Sequence, residues 1–113
     1  MKLALSALAA ALLSLSVFPV HAAEPGTAAI EAIGKINGMA LACQQPAIAS
    51  RARNAVTTTA PKTRANGEAF EDATSAAFLE QGKGAVCPPD TASFVKAVAE
   101  AEKNLQAAFP APK

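Results

Sequence analysis

The 113-residue chain has no tryptophan, no tyrosine and only one histidine, His21. Each absence removes a class of chemistry. His21 lies in an N-terminal segment with the anatomy of a cleaved signal. The remaining chain can therefore build neither a Ser-His-Asp nor a Cys-His arrangement, and histidine-assisted acid–base work is closed to it. Neither C-x-x-C nor C-x-x-C-H occurs, so a thioredoxin-like redox site and c-type haem attachment are unsupported. With two cysteines and no imidazole, zinc or copper would need carboxylates to complete an uncommon ligand set. No phosphate-cradling loop is present either, because Gly82-Lys83-Gly84 lacks the required context. No metal and no cofactor are expected.

An excess of charge is missing too. Past residue 22 the chain carries nine basic and nine acidic residues. That neutral total, with no aromatics interleaved among the cations, is not the footprint of a nucleic-acid binder. Large apolar residues are also few: Ile, Leu, Met, Val and Phe number sixteen after residue 22. A core this thin is marginal for a domain of such length. Some other constraint has to help hold it.

What is present begins with residues 1–22, which read as a signal peptide. Lys2 supplies the positive region and Leu3 to Leu15 the apolar one. Val20-His21-Ala22 puts small residues where a signal peptidase reads, with cleavage after Ala22 or Ala23. The apolar run falls short of the ~20 residues a membrane-spanning helix needs, and Pro19 interrupts it. Removing 22 of the 113 residues leaves 91, a single domain over 23–113. The expected product is exported to the periplasm, or secreted, with no stable membrane span after cleavage.

Cys43 and Cys87 are the only cysteines. An even count in an exported chain reads as a disulfide, since oxidising compartments form and keep such bonds. Closing a 44-residue span would contribute about 4 kcal/mol on the chain-entropy account.

Helical spacing dominates the rest. Ile30, Ile33, Ile36, Ala40 and Cys43 recur at three- and four-residue steps over Ala28–Ala42, with Thr27 as the expected cap. Gly34 and Gly38 fall on one face of this helix; they either admit a closely packed neighbour or mark a local break near Asn37-Gly38. Pro46 opens a second helix lined by Ile48, Ala52, Ala55 and Val56, which the β-branched run Val56 to Thr59 weakens. "KTRANG" reads as a loop, with Asn66 capping a third helix striped by Phe70, Ala73, Ala77 and Phe78. Asp90 is expected to cap the fourth, whose Phe94, Val98, Ala101, Leu105 and Ala108 form the clearest amphipathic stripe. Residues 110–113 should be a loose tail. The expected architecture is all-α: a small bundle of three to four helices stapled by one disulfide, whose first and fourth helices run antiparallel if they pack together.

Two constellations remain as candidate sites. Glu68 and Asp72, four apart, share a helix face and are the available carboxylate pair for an enzyme or enzyme subunit; acids near a helix N-terminus also serve simply to complement its dipole. From Ala32 to Gly67 no acid occurs, while Arg51, Arg53, Lys62 and Arg64 fall inside. These four either face an anionic partner, pair with the acids of the third helix across the bundle, or are simply solvated.

In size, export signal, helical content and one wide-span bridge from Cys43 to Cys87, followed by an amphipathic helix, the chain resembles the small periplasmic acid-stress chaperones. It is similar in the same features to periplasmic immunity proteins. The resemblance implies a helical binder of other proteins and assigns no binding residues. The expectation is a non-enzymatic interaction protein of the cell envelope, monomeric or homodimeric: a chaperone, an inhibitor or an immunity-type binder. The alternatives are a small periplasmic enzyme using carboxylates and a ligand carrier.

Overall fold

The computed structural model describes residues 24–111, so the signal-peptide reading of 1–22 and the end of the expected 110–113 tail lie outside the described residues. Four helices follow one another: α1 (Pro25–Ala42), α2 (Pro46–Thr59), α3 (Arg64–Gly82) and α4 (Thr91–Ala108). No strand occurs among the described residues. Cys43 and Cys87 are bonded, with their Cα atoms 5.8 Å apart. The all-α, disulfide-stapled bundle is as the sequence led us to expect.

The helix ends show which local signals prevailed. α1 starts earlier than Ala28, with Pro25 in its first turn and Glu24 at the cap position, and no side chain caps it. Proline needs no hydrogen-bond acceptor and its φ is preset, so it starts the helix without Thr27. The α1 C-terminus closes with Gln44 at φ +56° and Gln45 N–H donating to Ala40 O at 2.7 Å. This is a Schellman closure with glutamine where glycine is usual. α2 holds through Thr59 despite its threonines, and the Thr58 hydroxyl donates back to Asn54 O at 2.8 Å. α3 is capped not by Asn66 but by Thr63, whose hydroxyl oxygen accepts from Asn66 N–H at 3.1 Å. The Asn66 side chain instead donates to Pro61 O. Asp90 caps α4 as expected, accepting from Ser93 N–H at 2.9 Å.

The packing follows from α1. It lies against all three other helices; α2 and α4 also touch each other, while α3 lies against α1 alone. Phe109, just past α4, packs over Gly26 near the start of α1. Arg51 of α2 meets Glu102 of α4, and Gln45 sits beside Thr91. α4 therefore runs antiparallel to α1 and parallel to α2. Gly34 faces Phe70 and Ala73, and Gly38 faces Thr74 and Ala77, so α1 and α3 run parallel. The chain goes up, down, up, down, with α1, α2 and α4 as a compact triad and α3 laid on α1 beside it.

The core cluster joins Ile30 and Ile33 of α1 to Ile48 of α2, Phe70 of α3, and Phe94, Val98 and Leu105 of α4, with alanines between them. The α1–α3 contact is of another kind. A methyl group on Gly34 would lie 2.8 Å from Phe70 O, and one on Gly38 would overlap Thr74 O. Of the two readings of these glycines, close approach is the one realised, and α1 continues unbroken through Asn37-Gly38. Asn37 is buried at this contact and donates to the Thr74 hydroxyl at 3.1 Å. The single Thr74 proton lies between Phe70 O at 2.8 Å and Gly34 O at 3.2 Å, and Asn37 Oδ1 has no partner.

Two stability measurements test this picture. Removing the bridge with Cys43→Ser and Cys87→Ser should cost up to about 4 kcal/mol in urea unfolding. Leu105→Ala, at a fully buried core position, should cost about 2–5 kcal/mol through the cavity it leaves. A Leu105→Ala loss below about 1 kcal/mol would contradict the buried triad.

Candidate functional site

The bundle has two chemically different ends. Because α1 and α3 run up together and α4 runs down, the C-termini of α1 and α3, the 83–90 segment and the N-terminus of α4 all meet at the disulfide end. The five large apolar side chains exposed among the described residues are Leu41, Phe78, Leu79, Val86 and Val95, and all five fall at this end. Leu79 is 63% exposed and Val86 91%.

Local structure explains each of them. Phe78 was expected in the α3 stripe, but it is 47% exposed. α3 turns Phe70, Thr74 and Ala77 inward instead. The glycines of α1 bring the α3 backbone too close for a phenyl ring to fit between, so the ring stands at the rim. Leu79 lies one further residue round the helix, away from α1. Val86 sits in a segment bounded by Gly84, at φ +104°, and by Cys87-Pro88-Pro89. The bridge fixes that segment at Cys87, and Gln81 Nε2 donates across it to Ala85 O at 2.8 Å.

The opposite end is charged. An open groove of about 760 Å³ lies between the end of α2, the 60–63 linker and the start of α3. Val56, Ala60, Pro61 and Phe70 line its apolar part, and Arg53, Lys62 and Arg64 stand around it. Three of the four basic residues singled out in the sequence are thus brought together. Arg51 is placed elsewhere, facing α4. Its Nη2 lies 2.6 Å from Glu102 Oε1 and its Nε 3.0 Å and 3.1 Å from the two carboxylate oxygens, a forked ion pair. The hydrogen bond to Glu102 pushes the Arg51 guanidinium pKa upward from its ordinary value. For Arg51 the pairing is thus with an acid of the fourth helix, whereas Arg64 pairs with one of the third, Glu68.

Arg64 bonds Glu68 at 2.9 Å along α3, and both side chains are exposed. Glu68, Glu71 and Asp72 border the same groove, so its charges balance. For the carboxylate pair this geometry offers little, because Glu68 is held by Arg64 and Asp72 stands in solvent. Neither has the apolar surroundings that tune a catalytic acid. Among the described residues no three His, Cys, Asp or Glu side chains converge on a metal position, and neither cysteine is a free thiol. No described helix is long and apolar enough to cross a membrane.

Compared with known protein families, with curated proteins and with solved structures, the chain matches none. Functional inference therefore rests on the two ends of the bundle.

Asp90 links the apolar end to pH. Hydrogen bonds from the Ser93 side chain and backbone hold its carboxyl below the ordinary value of 3.8. Since the folded-state pKa is the lower one, the α4 cap contributes fully above about pH 4 and is lost as the pH falls through the depressed value. Asp90→Ala should lower the thermal midpoint at neutral pH, and its difference from the wild type should shrink as the pH falls below the ordinary 3.8 and through the depressed value. A difference that stays undiminished until the protein unfolds in acid would show that the carboxylate is not the cap.

Proposed function

We propose that this chain is an exported, non-enzymatic interaction protein of the cell envelope, and that it holds another protein through its apolar, disulfide-bearing end. The supporting observation is the concentration of Leu41, Phe78, Leu79, Val86 and Val95 at that end. Soluble domains scatter single apolar side chains, whereas a group of them gathered in one region marks an interaction surface. Leaving these residues in water is costly for a domain with so little apolar matter to bury. A partner that covers them recovers about 25 cal/mol for each Å² withdrawn.

The bridge suits the same role. Binding is weakened by every segment that must be ordered first, and Cys43–Cys87 restricts the Val86 segment beforehand. At the other end, Arg53 and Lys62 supply a contact for an anionic part of the partner, while Arg51 is engaged by Glu102 and Arg64 by Glu68. A chaperone and an inhibitor differ in their response to acid. A chaperone of the acid-stress kind gains apolar exposure as its carboxylates protonate below about pH 4, and an inhibitor has no need to.

Photo-crosslinking from the oxidised protein in a periplasmic extract tests the proposal. A photoreactive residue at position 79 should give a discrete adduct with another envelope protein. One at position 106, on the far part of α4, should not. Phe78→Ser combined with Val86→Ser should reduce the adduct from position 79 by about tenfold, as expected for anchors near the centre of a contact. Equal labelling from both positions, or none from either at neutral and acid pH, would rule the proposal out.

A further inference from the structure

We propose that α3 is a releasable arm: it opens from α1 as a unit while α1, α2 and α4 stay folded, and opening adds Phe70 and the α1 face beneath it to the apolar surface already exposed on α3.

Four observations converge on this. α3 lies against one helix only, whereas each member of the triad lies against at least two. It buries only Phe70, Thr74 and Ala77, so a single large side chain anchors nineteen residues. The contact is the most extensive between two helices of the bundle, but it is built on backbone approach at Gly34 and Gly38 rather than on interlocking large side chains. It also encloses a polar group that the closed state leaves unsatisfied, Asn37 Oδ1, on a residue only 3% exposed. Opening returns that oxygen to water, whereas no comparable orphan side-chain atom occurs elsewhere among the described residues. Stability is not uniform across a fold, and elements with few buried apolar contacts open first.

The arm is tethered at both ends, by the 60–63 linker and by Cys87 through its bond to Cys43. It can lift and unwind without leaving the molecule. A helix of this length is marginal in water once off its partner, so release is accompanied by exchange of its amides. Opening exposes Phe70, which lies on the same helix as Phe78 and Leu79 and extends the apolar surface toward the charged groove. The value of that larger surface rests on the proposed partner-binding role; the opening itself does not.

Two glycines of similar type but opposite surroundings allow a clean test. Alanine at Gly38 would collide with Thr74 O of α3, while alanine at Gly67, within α3, meets nothing within 4 Å. Hydrogen–deuterium exchange on the oxidised protein at neutral pH should show α3 amides exchanging about tenfold or more faster than the slowest amides of α1 and α4. Gly38→Ala should accelerate α3 by about a further tenfold, leave the triad within about twofold, and raise binding of an apolar dye. Gly67→Ala should leave α3 unchanged or slower, with no gain in dye binding. Exchange of all four helices at one common rate overturns the proposal. So does a Gly38→Ala protein in which the triad loosens with α3, or in which nothing changes. Because wild-type and Gly67→Ala exchange are read independently, the test stands even if Gly38→Ala does not fold. If the arm opens while crosslinking at position 79 fails, only the partner-binding role is lost.

Discussion

Everything in this molecule depends on α1 being packed across a wide face by three helices at once. Ile30 and Ile33 feed the shared core, while Gly34 and Gly38 let a further helix in at backbone distance. With sixteen large apolar residues after position 22 the chain cannot furnish four helices with four equal interfaces. It concentrates its bulk in the α1–α2–α4 triad and attaches α3 with small residues. The result is a compact unit with an appendage rather than a symmetrical bundle.

That economy has chemical consequences. A glycine-mediated contact leaves no room for Phe78, which stands at the rim, and Leu79 lies on the side of α3 that no other helix covers. The bridge then draws the C-terminus of α3, the Val86 segment and the start of α4 together. The same covalent constraint that compensates for a small core therefore also gathers the exposed apolar residues. Charge is sorted the opposite way. The α2–α3 linker, which turns at Pro61 and the Thr63 cap, holds Lys62 next to Arg64 at the start of α3, away from the bridge and near Arg53.

The buried polar contact between Asn37 and Thr74 belongs to the same logic. Asparagine within a helix facing another helix is poor hydrophobic material, and its unpartnered Oδ1 costs stability. Its value is in orientation: the Asn37 amide, the Thr74 hydroxyl and the Gly34 carbonyl meet at one register of α1 against α3. A contact defined by fit and hydrogen bonding rather than by greasy area can be specific and still weak, as a releasable arm requires.

The sequence by itself determined the helical class, the pairing of its two cysteines, the α4 stripe and the Asp90 cap, and it made α1 and α4 antiparallel provided that they packed together. These follow from periodicity, from an even cysteine count and from short-range hydrogen bonding, all of which act within a few residues or through a covalent bond. It placed the starts of α1 and α3 a few residues late, because Pro25 and Thr63 compete with Thr27 and Asn66 on nearly equal terms. Only the tertiary structure decided that Arg51 meets Glu102, that Arg53, Lys62 and Arg64 gather at one groove, and that Phe78 stays outside. The reason is that each depends on which helices become neighbours; for α3 that choice involves two missing side chains, at Gly34 and Gly38, whose meaning appears only when another backbone lies against them.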